Sequence, residues 1–452
     1  MAKPHLLYVA FFFPPSRSSG VYRALATVQA FVAGGWDVTV LTADERFFEF
    51  EIGSVDRSLL TSIPDGVEIV RVPFSFQPAG SSVRLQDMGW IQGNLPVLRS
   101  GIRRRLRRAR EAADILRGRS ALSYQMDDRY LSWIEPVVAE AVRLGRRRPY
   151  DHLLATGNPY SSFEAARVVA SLMDVPFTID YRDPWAFDMR TGSKAKLSVP
   201  TLAAEKRIID HAFACIQVNE AIAAAYSDLY PDIAPKQHVV VNGFDTSSIP
   251  RVRAPRDGAL RFGMLGTVTD LWPLAELFEA WHQVRSVLPE GSSLRLGGHL
   301  GYFERSAEQL LSSFPNVEAG FEYVGPVSKG AVADFYGDLD AVIVALFGGP
   351  MVTAGKMLEV GALGLPVVCI QDADGGARRF YRDHPLAIGV DPDPNQIADA
   401  ISRAAEMCRT ITVEERLAVR SAMAGYERLA SMRRMVDLVE SANLPNREVI
   451  DA

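Results

Sequence analysis

The hydrophobic pattern of the first forty residues predicts a β-α-β unit. The apolar run "LLYVAFFF" (6–13) is typical of a strand that is buried on both faces of a parallel sheet. "PPSRSSG" breaks the run, and "VYRALATVQAFVA" then has helical spacing up to Gly34 and Gly35, which precede a second apolar strand. Similar runs, spaced widely enough for intervening helices, recur at "DHLLATG", "FTIDYRDPW" and "FACIQVN". The first half of the chain is therefore predicted to be a doubly wound α/β domain.

A second strand-helix series follows a turn-rich stretch at 236–255, "KQHVVVNGFDTSSIPRVRAP", whose composition suits a linker. Its predicted strands are "LRFGMLG", "SLRLGGH", "FEYVGPV", "AVIVALFGG" and "PVVCI". At 452 residues the chain is long enough for two hydrophobic cores. We therefore predict an α/β protein with two Rossmann-like doubly wound domains that face each other across a cleft, at 1–245 and 246–424, followed by a helical segment. The alternative is one large sheet with insertions.

The stretch "TAGKMLEVGALGLPVVCI" (353–370) places two charged residues in an otherwise small and apolar run. It follows the predicted strand at 341–346, and ligands of such sheets bind beyond the carboxyl ends of the strands. We predict a helix of about three turns from about Ala354, with Thr353 as its N-cap and Gly364 as a left-handed residue after its end. Lys356 and Glu359 then lie on one helix face, three residues apart.

This pair suits the recognition of a nucleoside diphosphate. A carboxylate can accept hydrogen bonds from both vicinal hydroxyls of a ribose, and a lysine can meet a phosphate as a point charge. Both residues are also predicted near a helix N-terminus, which favours anions. The structural alternative is an ordinary i,i+3 ion pair, which contributes about 0.2–0.5 kcal/mol to the helix.

Several segments, in order, resemble retaining glycosyltransferases of the GT-B fold, family 4 (glycosyl transferases group 1). They cover nearly the whole chain: "YVAFFFPPSRSSGVYRALATVQAFVAGGWDVTVLT", "DYRDPW", "VVVNGFD", "FGMLGT", "YVGPVSKGAVADFYGDLDAVIVAL" and "KMLEVGALGLPVV". The resemblance implies a nucleotide-sugar donor in the second domain and an acceptor on the first. It also implies a final helix, at about 425–452, that packs back on the first domain. No metal or other cofactor is expected, and the protein needs no general base if the departing phosphate takes the acceptor's proton.

The resemblance also implies the residues of the site. The donor-binding residues would be Ser19, Gly20, Gly266, Thr267, His299, Val324, Thr353, Ala354, Gly355, Lys356 and Glu359. Two of these interpretations have structural alternatives: the loop with Ser19 and Gly20 is also compatible with a plain β-α turn, and His299 with a solvated loop histidine.

We predict Arg182, Asp183 and Lys356 as the catalytic residues. "DYRDPW" (180–185) ends a predicted strand, so that Arg182 and Asp183 would project beyond the carboxyl edge of the first sheet. The alternative is an Arg–Asp pair that braces the loop. No Ser-His-Asp or metal-ligand spacing accompanies them, and no general base is predicted.

The chain departs from the family pattern at two places. Met351 stands where the family usually carries a glutamate that touches the donor sugar, and the loop "GTVTDLWPL" (266–274) lacks the usual cations for the diphosphate. Lys356 and the helix amides, with Arg17 or Arg23, would then neutralise the diphosphate. These losses also favour two alternatives: a relative that couples a non-sugar cyclitol or forms a bond other than an O-glycosidic one, and a catalytically silent nucleotide-binding scaffold.

Charge and cysteine content narrow the remaining possibilities. The formal charge of −5 gives no support to a nucleic-acid binder. Three scattered cysteines in apolar surroundings predict buried free thiols in a reducing compartment, and the first apolar run is too short to span a bilayer. We therefore expect a cytoplasmic protein.

The arginine-rich run from Arg103 to Arg110 predicts peripheral contact with the inner face of a membrane. A solvated arginine-rich helix is the alternative. The sequence leaves the oligomeric state, the donor sugar and the acceptor open.

Overall fold

Two compact units make up the computed structural model of the chain. The first contains Met1–Asp188, Lys194–Val241 and Met432–Ala452, and the second contains Met189–Ser193 and Asn242–Ser431. The chain thus passes between units after Val241 and after Ser431, where the sequence placed domain limits at 245 and 424. The structure describes residues 3–18, 20–74, 126, 128–189, 191–269, 272–300, 307–315, 320–346, 349–352 and 355–447.

A parallel seven-stranded sheet in the order β3-β2-β1-β4-β5-β6-β7 forms the centre of the first unit. Its strands are β1 (His5–Ala10), β2 (Asp37–Ala43), β3 (Glu68–Val72), β4 (His152–Gly157), β5 (Phe177–Tyr181), β6 (Ala214–Gln217) and β7 (Gln237–Val239). Its helices are α1 (Val21–Ala33), α2 (Ile134–Gly145), α3 (Ser161–Met173), α4 (Val199–His211) and α5 (Glu220–Leu229). Every residue of β1 and β4 is buried, as the continuous apolar runs predict for strands covered on both faces.

The second unit has its own parallel sheet of six strands in the order β10-β9-β8-β11-β12-β13. Its strands are β8 (Arg261–Leu265), β9 (Ser293–Gly297), β10 (Phe321–Gly325), β11 (Ala341–Ala345), β12 (Val367–Ile370) and β13 (Ala387–Val390). Its helices are α6 (Leu274–Val284), α7 (Ala307–Leu311), α8 (Val332–Gly337), α9 (Gly355–Gly361), α10 (Gly376–Phe380), α11 (Pro394–Thr410) and α12 (Val413–Met423). The prediction of two doubly wound α/β units is confirmed.

The last helix, α13 (Arg428–Arg447), begins in the second unit and continues in the first. Met432, Met435, Val436 and Val439 lie in the same buried cluster as β1, β2 and α1. The indole nitrogen of Trp36 also donates a hydrogen bond to Glu440, at 3.3 Å. Apolar packing and this hydrogen bond together hold the helix against the first unit.

Strand order reverses between β1 and β4 in the first sheet and between β8 and β11 in the second. In open parallel sheets the loops beyond these reversals leave a crevice at the carboxyl ends of the strands, where ligands bind. In the second unit that place is flanked by the loop after β8 and by the segment from β11 to α9.

The stretch around Lys356 differs from the prediction in one respect. The helix α9 has seven residues, about two turns rather than three, because bonds from the amides of Ala362 and Leu363 to Glu359 and Val360 tighten its end. Gly364 does have the predicted left-handed backbone, with φ of 67°.

A substitution at Gly364 tests how tightly this end is packed. A Cβ there would lie 2.7 Å from the carbonyl oxygen of Arg416, whereas Gly258, also at positive φ, has nothing within 4 Å. We expect Gly364→Ala to lower the free energy of unfolding by about 1–2 kcal/mol more than Gly258→Ala does, because both variants share backbone strain but only one meets a fixed atom. Urea unfolding of both variants measures this, and equal losses would contradict the close contact.

Candidate functional site

Lys356 and Glu359 lie on α9, directly after the reversal of strand order in the second sheet. The Nζ of Lys356 donates to Oε1 of Glu359 at 2.5 Å, so the side chains meet on one helix face as predicted. Glu359 is 8% exposed, whereas the Lys356 side chain is 37% exposed. The lysine can therefore exchange this partner for a ligand from solution, while the carboxylate is held in place.

Two buried tyrosines surround the glutamate. The ring centroid of Tyr336, on α8, lies 5.5 Å from Nζ of Lys356, a cation–π distance. Burial, followed by the negative charge of Glu359, raises the pKa of the Tyr336 phenol well above its usual value. Burial, followed by Cys369 and Glu359, does the same to Tyr381. Both phenols therefore stay neutral and remain available as hydrogen-bond donors.

Further hydrogen bonds fix the position of α9. The Tyr381 hydroxyl donates to the carbonyl of Met357 at 2.7 Å, and the His384 ring lies at 3.0 Å from the carbonyl of Gly361. Arg420 donates to the carbonyl of Leu363 at 2.9 Å. A two-turn helix would have little stability alone, and these contacts hold its charged face at the end of β11.

The loops after the neighbouring strands carry three further predicted residues. Gly266 and Thr267 follow β8, and His299 follows β9. The amide of Val268 donates to the carbonyl of His299 at 2.8 Å, so these two loops run side by side. Thr267 and His299 are exposed and can reach a ligand at this edge.

Trp272 lies beside them, and we did not select it from the sequence. A Cβ on Gly266 would lie 3.2 Å from the Trp272 indole, so the ring packs flush against this glycine. Two features of the sequence could have indicated Trp272 as a site residue: it is aromatic, and it lies in the loop after β8.

Two further predicted donor-binding residues, Val324 and Gly355, belong to a strand and a helix rather than to a loop. Val324, in β10, is half-buried and packs against the cluster that contains Met357 and Val360. Gly355 opens α9, and a Cβ there would have nothing within 4 Å. Ser19, Thr353 and Ala354 lie outside the described residues, as does the run from Arg103 to Arg110. Met351 is 4% exposed and its side chain is apolar. It therefore provides no hydrogen-bond acceptor for a donor sugar.

In the first unit, Arg182 and Gly20 come together. A Cβ on Gly20 would lie 1.1 Å from Nη1 of Arg182, so the guanidinium occupies the space that any larger residue would need. Arg182 also donates from Nε to the carbonyl of Gly157 at 3.1 Å, and from Nη2 to the carbonyl of Asn158. It thereby ties the start of α1 to the loop after β4, at the strand reversal of this sheet.

The alternative of a bracing Arg182–Asp183 pair is wrong, because these two described side chains form no ion pair with each other and the arginine binds carbonyl groups instead. Burial raises the pKa of the Asp183 carboxyl. Its backbone carbonyl accepts a hydrogen bond from the Tyr160 hydroxyl at 3.2 Å, and the Tyr160 ring stacks on Trp185 at 4.4 Å. Asp183 thus lies in a well-fixed loop.

Arg23 is not a phosphate ligand, contrary to one expectation. It is 3% exposed and holds Asp180 in a buried ion pair, with Nη2 to Oδ1 at 2.6 Å. Asp180 also accepts from the Thr156 hydroxyl at 3.1 Å. The pair joins α1 to β5 and is already satisfied. Arg17 is exposed and stays a candidate.

The cysteine prediction is confirmed: Cys215, Cys369 and Cys408 are buried and free. Burial raises the pKa of each thiol to about 12, so none is a reactive thiolate. No three His, Cys, Asp or Glu side chains of the described residues gather as a metal site requires. Within the same part of the chain, no helix combines the length and apolarity needed to cross a bilayer.

Comparison with solved structures identifies the architecture. A glycosyltransferase from Rickettsia africae ESF-5 is similar with a TM-score of 0.63 at 10% identity, over 98% of this chain and 99% of that chain. The HepE protein of Anabaena, in complex with UDP-glucose, is similar with a TM-score of 0.58 at 13% identity, over 97% of this chain and 99% of that chain. The fold is GT-B. A putative UDP-N-acetylglucosamine 2-epimerase from Listeria monocytogenes shares it, with a TM-score of 0.56 at 12% identity over 98% and 97% of the two chains.

Sequence comparison finds a family model that matches part of the chain. Residues 260–407, less than half of the chain, match the family model described as glycosyl transferases group 1. The matched segment runs from β8 into α11 and contains both Lys356 and Glu359. The chain matches no curated protein in sequence. The family match and the GT-B fold together support a glycosyltransferase, and because an epimerase has the same fold, the fold alone does not determine the reaction.

Proposed function

We propose that this GT-B protein is a retaining glycosyltransferase of family 4, which moves a sugar from a nucleoside diphosphate donor to a small-molecule or lipid-linked acceptor. One observation carries the proposal. Lys356 and Glu359 lie in contact at the strand reversal of the unit that matches group 1 glycosyl transferases. The UDP-glucose bound to the similar Anabaena protein supports a nucleotide sugar as the donor.

In this proposal Glu359 accepts hydrogen bonds from the two ribose hydroxyls. Glu359 is 8% exposed, and hydrogen bonds to a carboxylate are stronger than those between neutral groups. Lys356 turns from Glu359 to the diphosphate, since its half-exposed side chain is free to rotate. The exposed Thr267 and His299 lie on the neighbouring loops and would contact the remainder of the donor.

Transfer breaks the bond between the anomeric carbon and the diphosphate oxygen. The acceptor oxygen bonds to that carbon on the face that the diphosphate leaves, and its proton passes to the departing phosphate. The protein has to supply positioning and charge stabilisation of the leaving group, which is the role of Lys356. Arg182 and Asp183, at the carboxyl end of the first sheet, would orient the acceptor.

A second candidate is a nucleotide-binding protein without transferase activity. Met351 is buried, and the described residues of the loop after β8, 266–269 and 272–273, contain no cation. A donor could then bind through Glu359 and Lys356 without enough leaving-group stabilisation to react. A sugar-like cyclitol as the acceptor is compatible with the same site.

Product analysis with UDP-, GDP-, ADP- and dTDP-sugars tests the proposal. We expect one donor to release nucleoside diphosphate, and NMR of the product to show an unchanged anomeric configuration. Inversion at the anomeric carbon would contradict retention, and conversion to an epimer would contradict transfer. Nucleotide binding without turnover of any donor would instead support the silent protein.

Lys356→Ala is expected to weaken nucleoside diphosphate binding about tenfold and nucleoside binding far less, because the charge faces the phosphates. The expected loss of about 1.5 kcal/mol is at the low end for a charged contact, since the lysine is partly solvated. Calorimetric titration with both ligands measures the difference. Lys329→Ala, which removes an exposed lysine of the same unit, is the control. Equal losses for both ligands would assign Lys356 a structural role.

A further inference from the structure

Trp272 lies at the strand reversal of the second sheet, in the loop between β8 and α6. The indole is half-buried, and its inner side packs against the apolar cluster that contains Leu274 and Leu277 of α6. A half-buried indole keeps part of its surface for a partner, and it offers that partner a large and rigid apolar contact. The charged pair on α9 offers a ligand no contact of this kind.

The backbone beneath the Trp272 ring is closely packed. A Cβ on Gly266 would lie 3.2 Å from Cη2 of the indole, so the glycine lets the ring approach the main chain. The amide of Gly266 donates to the carbonyl of Gly297 at 3.0 Å. A Cβ on Gly298, which has φ of 134°, would lie 1.7 Å from the carbonyl oxygen of Gly266. The loops after β8 and β9 therefore hold each other, and the ring rests on a fixed support.

Trp272 and α9 lie on opposite faces of the sheet. Alternate side chains of β11 belong to two clusters, Ala341, Ile343 and Ala345 to the one with α6 and Trp272, and Val342 and Val344 to the one with α9. The strands β8 and β11 are neighbours, and neighbouring strands lie about 4.8 Å apart. A ligand in the crevice beyond these two strands can therefore meet Trp272 from one side and α9 from the other.

The part of a donor that reaches Trp272 follows from these two faces, and this step rests on the proposed function. Glu359, which would hold the ribose, lies on α9. Val324, another predicted donor-binding residue, packs against the same cluster as α9. The nucleoside is thereby assigned to the α9 face, and Lys356 holds the diphosphate near the start of that helix. The sugar is the part of the donor that remains for Trp272.

The chemistry of the loop after β8 suits an uncharged group. Its described residues, 266–269 and 272–273, contain no cation that would favour the diphosphate there. A pyranose ring presents C–H groups on its faces, and their partial positive charge suits the negative π face of an indole. We propose that Trp272 stacks on the C–H face of the donor's pyranose ring and so selects donors by their sugar. A hydroxyl that stands axially on the stacked face would hold the two rings apart.

Calorimetric titration with matched ligands tests this stacking. UDP-glucose, UDP-N-acetylglucosamine, GDP-mannose, ADP-glucose and dTDP-glucose are each compared with their own nucleoside diphosphate, and the sugar nucleotide that the wild type binds most tightly is used. We expect Trp272→Leu to weaken this sugar nucleotide about five- to tenfold and the diphosphate by less than about twofold, because leucine is apolar but has no π face. Trp272→Phe, which keeps a smaller aromatic face, should lose less.

Phe278→Leu is the matched control. It removes a half-buried aromatic ring of α6 that packs against the same cluster, and both ligands should bind as they do to the wild type. Equal losses of sugar nucleotide and diphosphate in Trp272→Leu would overturn the proposal, because the ring would then contact the nucleoside or only shape the loop. Unchanged binding of both ligands would overturn it as well.

The failure of this inference is distinguishable from a failure of the proposed function. If Glu359→Ala weakens the diphosphate while Trp272→Leu weakens neither ligand, the donor site stands and only the stacking is wrong. If the wild type binds none of the five sugar nucleotides and none of the diphosphates, the donor site itself is contradicted, and the stacking with it.

NMR of the ligand bound to the wild-type protein gives an answer that does not require a variant to fold. The ring current of a stacked indole shifts the resonances of the sugar ring protons upfield. Upfield shifts of these protons that disappear in Trp272→Phe or become smaller would support the stacking. Upfield shifts of the base protons alone, or no shift of the sugar protons, would overturn it.

Discussion

Glu359→Ala is expected to weaken the binding of ribonucleoside diphosphates by about 100-fold, and Glu359→Gln by less. The alanine loses both hydrogen bonds to the ribose diol, at about 1.5 kcal/mol or more each for a charged acceptor. The glutamine keeps one acceptor oxygen and loses the charge. Calorimetric titration of the wild type and both variants with the diphosphate of the preferred donor measures this series.

A 2′-deoxy ligand separates direct contact from bracing of the helix. The wild type should bind it less well than the ribonucleotide, and Glu359→Ala should weaken it little further, because one hydroxyl partner is already absent. This non-additivity is what a direct contact requires. Equal losses for both ligands would mean that Glu359 only holds Lys356, to which it is bonded at 2.5 Å.

Glu322→Ala is the matched control for these titrations. Glu322 is a half-exposed carboxylate of the same unit and pairs with Arg295 at 2.8 Å, as Glu359 pairs with Lys356. Its loss should leave nucleotide binding unchanged. An equally weakened Glu322 variant would point to a general charge effect on the unit.

The sequence predicted the sheet cores well because parallel strands buried on both faces must be continuously apolar. "LLYVAFFF" and "AVIVAL" became β1 and β11 for this reason. The position of Lys356 and Glu359 followed from helical spacing, a local property that any i,i+3 pair has. The length of α9 did not follow, since the bonds from Ala362 and Leu363 that tighten its end form where Arg420, distant in sequence, binds the carbonyl of Leu363.

The surroundings of the site depend on such distant contacts throughout. Nothing in the sequence places Tyr336 of α8 against Lys356, or Arg253 against Arg416, because each pair meets only when segments that are distant in sequence pack together. Arg23 was predicted as a phosphate ligand because it lies close to a predicted phosphate-binding loop. In the structure it already forms an ion pair with Asp180 on β5. Charged residues in a sequence carry no mark of their partners.

A buried carboxyl in the first unit gives the second large prediction. Glu205, on α4, is 0% exposed, and its Oε1 accepts hydrogen bonds from the hydroxyls of Tyr181 at 3.1 Å and Tyr226 at 2.5 Å. The Tyr226 hydroxyl in turn accepts from the backbone amides of Trp185 at 2.9 Å and Ala186 at 3.1 Å. Glu205 therefore supports the loop that carries Asp183.

Burial raises the pKa of Glu205 to about 7, although the two tyrosine hydrogen bonds lower it in part. The folded protein then binds a proton more tightly than the unfolded chain, whose glutamate titrates near 4.5. The stability that Glu205 contributes is fully present below pH 4.5 and is lost as the pH rises through about 7. The shift corresponds to about 3 kcal/mol of unfolding free energy.

Glu205→Gln should remove this dependence, because glutamine has the shape of the protonated carboxyl and keeps the acceptor for both tyrosines. The wild type should lose about 3 kcal/mol of unfolding free energy between about pH 4.5 and pH 8, and the variant should not. The difference between the two proteins, measured by urea unfolding, should therefore shift by about 3 kcal/mol in favour of the variant. Glu51→Gln, at an exposed position of the same unit, should follow the wild-type profile. If the difference in unfolding free energy between the wild type and Glu205→Gln stays constant across this range, Glu205 has the same pKa in the folded and the unfolded chain. In that case its two tyrosine bonds would offset the burial completely, and the loop around Asp183 would be insensitive to pH.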